Sequence, residues 1–185
     1  MPPFENVLPE EAQWNIIDFI RANADATRLR ILGSGTTAAF PAPDFSAQCT
    51  DGSTVSLAGL RPQIVHIVIA SQGSEEWLRQ VADSDAAAKL KTIVIASGPE
   101  TAKGLPLCVS REPGAMQAFA HYRGAEPIEG SEFLVDPAGN LRSMWRADEG
   151  VRGQEASALA QRVRGLRVAA RVQRPSGAQG HTHTH

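Results

Sequence analysis

The sequence predicts an α/β domain with a central mixed sheet, on the strength of three observations. Two apolar runs, 64–70 and 92–96, are typical of central strands that are buried on both faces. Helical patterns alternate with these runs, as they do in α/β units with parallel strands. Turn signals at 51–52 (Asp-Gly) and 136–140 predict antiparallel hairpins, and these would make the sheet mixed.

The elements are predicted in chain order, beginning with a helix at 9–23. Glu10 and Glu11 lie in its first turn, where negative charge suits the positive end of the helix dipole. A linker with a short strand at 29–32 follows. Pro106 places the strand 105–109 at a sheet edge, because proline cannot donate to a strand ladder. The elements after the linker are strands 45–49, 54–57 and 64–70, helix 75–89, strands 92–96 and 105–109, helix 113–122, strands 132–135 and 141–145, and helix 154–168.

The composition excludes several classes of function. The chain has 185 residues, 42% of them hydrophobic, which suits one medium-sized globular domain with extensions. Its net charge of −2 gives no basic footprint for nucleic acid, and the mixed charges disfavour a membrane surface. No apolar run approaches the roughly 20 residues that span a bilayer. The acidic, proline-rich start does not have the pattern of a secretory signal peptide.

Two cysteines, Cys49 and Cys108, lie far apart in the sequence. They form no CxxC, no zinc-binding spacing and no CxxCH haem-attachment motif. They are enough for one disulfide, but the favoured interpretation is two small, separate, buried residues. His66 interrupts an apolar strand, and we predict no catalytic role for it.

Two segments resemble the thioredoxin-like superfamily, and within it the redoxin group. These are PAPDFSAQCTDGSTVSLAGLRPQIVHIVIAS at 41–71 and FLVDPAGNLRSMW at 133–145. The group includes alkyl-hydroperoxide-reductase-like and cytochrome-maturation thioredoxins, and the resemblance covers about 40–168. It implies a three-layer sandwich with a central mixed sheet and an N-terminal hairpin, preceded by a helical extension. The predicted domains are the extension with its linker at 1–39, a thioredoxin-like domain at 40–170 and a disordered tail at 171–185.

The chemistry of this family needs a thiolate at the start of the first long helix, where the helix dipole lowers the thiol pKa. The matching window, 71–76, contains no cysteine. Ser74 is predicted to cap the helix, with Glu75 and Glu76 in its first turn. A cis-proline of the family is also missing, and Gly130–Ser131 stand in its place. The predicted degenerate site comprises Ser71, Gln72, Gly73, Ser74, Gly130 and Ser131.

The resemblance and the missing cysteines together predict a redox-inactive binding or accessory domain rather than an enzyme. Two alternatives stay open. One is a thiol–disulfide oxidoreductase or peroxiredoxin-like enzyme that uses Cys49 or Cys108. The other is a metal-binding protein, with copper as the metal that the fold family suggests.

The N-terminal segment resembles the C-terminal end of a class I c-type cytochrome. The resemblance rests on Met1-Pro2-Pro3-Phe4, a short acidic spacer and a helix that contains Trp14. It implies that Met1 is an axial haem ligand in a longer protein whose cytochrome domain lies upstream, in the periplasm or another extracytoplasmic compartment. The chain has no CxxCH, so no haem c is expected in this chain itself. The alternative is an ordinary amphipathic helix that caps the thioredoxin-like domain.

Three alternate histidines, His181, His183 and His185, lie near the end of the chain. Imidazoles at this spacing suit one Cu²⁺, Ni²⁺ or Zn²⁺ ion. The favoured interpretation is a disordered tail with only adventitious metal affinity.

Overall fold

A computed structural model describes residues 9–32, 40–98, 100–124, 127–145 and 155–172. The chain divides into two compact units, 1–150 and 151–185, and the second contributes one helix, α4. The elements are α1 (Glu10–Leu32), β1 (Phe40–Pro41), β2 (Ser46–Cys49), β3 (Thr54–Ser56), β4 (Val65–Ala70), α2 (Glu75–Ala88), β5 (Lys91–Ala96), β6 (Cys108–Ser110), α3 (Pro113–Arg123), β7 (Glu132–Val135), β8 (Asn140–Trp145) and α4 (Glu155–Val172).

The strands of the first unit form one mixed sheet in the order β1-β8-β7-β4-β5-β6-β2-β3. β4, β5 and β6 run parallel to one another, and each remaining neighbouring pair is antiparallel. The continuous apolar run of β4 is buried along its whole length, since strands and helices cover it on every side. The predicted mixed sheet and both predicted hairpins are confirmed.

The sheet separates two apolar cores, so the first unit has three layers. On one face, alternate strand residues such as Ile67 and Ile93 pack with Ala26 of α1 and Phe119 of α3. On the other face, residues such as Val68 pack with the inner side of α2. The architecture is a thioredoxin-like α/β sandwich.

The structure corrects two predicted elements. The helix α1 continues to Leu32, so the strand predicted at 29–32 is wrong. The physical reason is that its second half has a surface to pack on: Ala26 is fully buried in the core beneath α3. The strand β6 is not at an edge, because the hairpin of β2 and β3 extends the sheet beyond it. Pro106 precedes this strand and therefore does not interrupt its ladder.

No helix in the described part of the chain is long and apolar enough to cross a membrane. The predicted domain limits at 1–39, 40–170 and 171–185 stay predictions.

Candidate functional site

The turn from β4 into α2 carries the first half of the predicted site. Ser74 is the N-cap residue of α2, and its carbonyl accepts the first helical hydrogen bond, from Leu78 N at 2.9 Å. Its side chain, however, caps no helix N–H, so that part of the prediction is wrong. The reason is conformational: Ser74 has φ −92° and ψ 9°, whereas a capping serine usually takes an extended conformation.

Carboxylates occupy the amino end of α2 instead. Glu75 Oε1 accepts a hydrogen bond from Gly73 N at 3.3 Å, which draws this carboxylate back over the turn. Glu76 pairs with Arg79 one turn further on, at 3.0 Å. Both glutamates lie in the first turn, as predicted. The positive end of the helix dipole is therefore balanced by oxygen anions, and residues 71–77 contain no sulfur.

The second half of the predicted site, Gly130–Ser131, lies against the same end of β4. Gly130 N donates to the Ile69 carbonyl at 2.7 Å, and Ile69 N donates to the Ser131 carbonyl at 2.9 Å. Ser131 is fully buried. Gly130 and Ser131 are therefore hydrogen-bonded to Ile69, two residues before the turn that begins at Ser71. That the six residues form one degenerate site stays a prediction.

Cys49 and Cys108 form a disulfide across the neighbouring strands β2 and β6. The prediction that they are buried is confirmed, but the prediction that they are separate is wrong. Sequence could not pair them, because they are 59 residues apart and meet only through the antiparallel pairing of β2 with β6.

The disulfide is remote from the amino end of α2. Both sulfur-bearing residues belong to the core on the α1 and α3 face, whereas α2 packs on the opposite face. Cys108 aligns with Ile93, which aligns with Ile67, three residues before the end of β4. The disulfide is therefore two strand spacings across the sheet and three residues along β4 from the carboxyl end of β4, a separation of roughly 14 Å. The dipole of α2 therefore cannot activate these sulfurs.

A second polar cluster lies under α2 and centres on His66. Its Nδ1 lies 2.7 Å from Asp85 Oδ2, and Thr92 Oγ1 donates to the same oxygen at 2.7 Å. Its Nε2 lies 3.2 Å from Glu132 Oε2, an ion-pair distance, although the bond is not well aligned. His66 and Asp85 are each only 1% exposed. The cluster joins α2 to β4, β5 and β7.

These carboxylates control the charge of His66. Burial lowers the pKa of His66, but the hydrogen bond to Asp85 and the attraction of Glu132 outweigh burial and raise this pKa to about 10. The imidazole is therefore a cation at neutral pH. The imidazole is almost completely covered by the surrounding elements. The absence of a catalytic role for His66 stays a prediction.

Asp85 and Glu132 were not predicted to be partners of His66. A signal was present: Leu78, Val81 and Asp85 share the buried side of α2, so a carboxylate interrupts an apolar stripe. His66 and Glu132 likewise stand at inward positions of buried strands. Buried charges need partners, so three such interruptions in adjacent elements predict a cluster.

The remaining predicted site residues, Met1, His181, His183 and His185, lie outside the described residues. Within the described ranges, no group of three His, Cys, Asp or Glu side chains is arranged to hold a metal ion. The chain also lacks the CxxCH that would attach haem c, so its residues do not fit that cofactor.

A cysteine introduced at Ser74 would report the electrostatics of this turn. In a Ser74→Cys variant the α2 dipole lowers the thiol pKa, while Glu75 and Glu76 raise it. We expect the added changes Glu75→Gln and Glu76→Gln to lower the thiol pKa by about one unit. The pH dependence of iodoacetamide alkylation measures it, and the wild-type protein, with both sulfurs in the disulfide, is the blank. Equal thiol pKa values with and without the two glutamate changes would show that these carboxylates do not offset the effect of the helix dipole on the thiol.

The sequence matches no protein-family model and no curated protein. Solved structures do share its fold. A disulfide-isomerase-type protein from Bacteroides thetaiotaomicron aligns at a TM-score of 0.53 and 20% identity, over 72% of this chain and 93% of that one. A thioredoxin-family thiol:disulfide interchange protein from Chlorobium tepidum TLS aligns at 0.52 and 18%, over 71% and 99%. BsSco, a member of the Sco family of cytochrome c oxidase assembly proteins, aligns at 0.50 and 15%, over 71% and 98%. These likenesses establish the thioredoxin-like fold and carry no activity over to this chain.

Proposed function

We propose that this chain is a redox-inactive thioredoxin-fold module that binds a protein partner. One observation carries the proposal: the amino end of α2, where the fold would activate a thiolate, holds carboxylates and serines. Thiol–disulfide exchange needs a thiolate as nucleophile, and a serine hydroxyl cannot replace it in redox chemistry. A hydrolytic role for Ser74 would need a general base, and the nearby side chains Glu75 and Glu76 lie at the helix amino end with partners of their own.

The Cys49–Cys108 disulfide supports a structural role for both sulfurs. Attack on a disulfide requires a thiolate to reach one sulfur along the S–S axis. Cys49 is 8% exposed and Cys108 is 2% exposed, so an external thiolate has little access to either. A buried disulfide that joins two neighbouring strands is suited to stabilising the fold rather than to reacting with a substrate.

The disulfide also supports an extracytoplasmic setting, because disulfides persist in oxidising compartments and are rare in the cytosol. The cytochrome-like segment that begins at Met1 points to the same setting. The module we propose is tethered to a c-type cytochrome domain or to a copper-related membrane protein. Sequencing of the gene upstream of codon 1 tests the tether: an in-frame CxxCH supports it, and an in-frame stop codon directly before Met1 excludes it.

We expect the native protein to present no reactive thiol and to catalyse no disulfide exchange. Ellman titration of the native chain should detect no thiol, and titration after reduction and unfolding should detect two. Insulin reduction and peroxide consumption should proceed at the rate of the buffer blank. The matched control is the double variant Cys49→Ser/Cys108→Ser, which should give the same rates as the wild type.

The second candidate is a thiol–disulfide oxidoreductase, and the observation that favours it is that Cys49 and Cys108 pair. Such an enzyme would pass this disulfide to a substrate dithiol, leaving two thiols on the chain and a disulfide on the substrate. Turnover by the wild type that disappears in the double cysteine variant would establish this candidate and defeat the first. The metal-binding alternative rests on His181, His183 and His185, and calorimetry with and without residues 181–185 tests it.

A further inference from the structure

Both sulfurs of the Cys49–Cys108 disulfide lie in the apolar core that also contains Ile93 and Phe119, and both residues are buried. A reagent that makes this bond from two thiols must place one of its own atoms directly against a cysteine sulfur. The core leaves no room for it, because protein interiors are close-packed. An apolar core also disfavours the charged thiolate, which is the form of cysteine that attacks. The folded protein is therefore a poor place to begin making the bond.

The ladder between the strands β2 and β6 consists of two residue pairs. Cys49 lies opposite Cys108, and Gln48 lies opposite Val109. The strand β2 also pairs with β3 in a hairpin, whose turn is local in the chain. The segment between the two cysteines contains β4 and β5, and β6 lies in the sheet beside β5. Docking of the hairpin on β6 is therefore the event that brings the two sulfurs together.

We propose that the chain reacts with an oxidant before this hairpin docks, so that the incompletely folded chain is the substrate of a thiol-oxidising reaction. The oxidant belongs to the class of organic disulfides. The folded protein is the product of this reaction and no longer its substrate. The inference goes beyond the proposed function, since it concerns how the chain acquires its disulfide rather than what the folded module binds.

The reaction has two steps. In the first step, the thiolate of one cysteine attacks the oxidant's disulfide, a mixed disulfide forms, and one oxidant sulfur leaves as a thiolate. This step needs access to the cysteine and takes place on the open chain. In the second step, the other cysteine's thiolate attacks the protein sulfur of the mixed disulfide as β2 pairs with β6, and the second oxidant sulfur leaves. The two cysteines lose two electrons and two protons, and the oxidant gains both and ends as two thiols.

The order of folding and oxidation tests the proposal. The full chain is reduced and unfolded in urea, and one sample is diluted directly into oxidised glutathione. A second sample folds in oxidant-free buffer before the same glutathione is added. Alkylation and mass spectrometry follow the loss of thiols. We expect the bond to form at least about 100-fold more slowly in the chain that folded first, because the reaction then waits for a rare opening of the core.

The variant Cys108→Ser isolates the first step, because its single sulfur, at Cys49, forms only the mixed disulfide with glutathione. We expect this adduct when the oxidant is present during refolding, and at least about 100-fold slower formation when the variant folds first. If the variant does not fold, the wild-type comparison decides alone.

Circular dichroism of the reduced wild-type chain completes the test. Equal rates of bond formation in the two samples, with a native spectrum before the oxidant is added, would overturn the proposal. A reduced chain without the native spectrum supports it, because oxidation then precedes folding.

Discussion

Loss of the Cys49–Cys108 disulfide is expected to lower the free energy of unfolding by about 4 kcal/mol. The bond closes a loop between residues 59 positions apart, and removing it restores the entropy of that loop to the unfolded chain. For a domain of this size, the loss corresponds to a fall in melting temperature of roughly 10 °C. The test compares urea unfolding of the oxidised protein with that of a Cys49→Ala/Cys108→Ala variant.

Two controls make this comparison specific. Reductant should destabilise the wild type by the same amount once the protein has been unfolded and refolded in its presence, since the buried sulfurs must first become accessible. The same reductant should not affect the double variant. A wild-type protein whose stability does not respond to reduction would show that the two sulfurs are not joined in the native state.

The second large effect is expected at the buried pair of His66 and Asp85. Asp85→Ala leaves a buried imidazolium without its hydrogen-bonded partner, which should cost about 3–5 kcal/mol of unfolding free energy. Thr92→Val is the matched control, because it removes the other hydrogen bond to the same carboxylate oxygen and should cost only about 1 kcal/mol. Equal losses in the two variants would show that the charge of His66 contributes nothing to stability.

The same cluster predicts how stability depends on pH. The pKa of His66 is raised from 6.5 in the unfolded chain to about 10 in the folded protein. Between these values the folded state holds a proton that the unfolded state has released. The stabilisation is therefore complete below pH 6.5 and is lost as the pH rises towards 10, at roughly 1.4 kcal/mol per pH unit.

Urea unfolding at a series of pH values measures this slope. A His66→Gln variant should lose it between pH 6.5 and 10, because glutamine does not titrate. His121→Gln is the control, since His121 is an exposed histidine on α3 and its replacement should leave the slope unchanged. If stability instead rises with pH in the wild type over this window, His66 is neutral in the folded protein.

Much of the fold was predictable from sequence because its signals are local. The runs 64–70 and 92–96 are apolar at every position, which a strand buried on both faces requires. The turns at 51–52 and 136–140 predict hairpins within a few residues of chain. The candidate site at 71–74 was predictable in the same way, since a strand end, a turn and a helix start follow one another directly.

Other features were not predictable because they depend on which distant segments become neighbours. The strand β6 was predicted to lie at an edge on account of Pro106. It lies inside the sheet because β2, a strand remote in the sequence, pairs with it. The length of α1 was underestimated because the surface that stabilises its second half is α3, about ninety residues later. The packing of this half against the core is a contact between remote segments, which no local pattern reports.

The features that bear on chemistry also divide into those that the sequence predicts and those that only the folded structure shows. The absence of a thiol at the amino end of α2 could be read from residue identities, because the helix start and its neighbours are consecutive in the chain. The disulfide and the charged cluster at His66 came only from the folded arrangement, since strand order determines which cysteines and which carboxylates meet. Local patterns encode periodicity and turns, whereas bonds and ion pairs between remote residues depend on the register of the whole sheet.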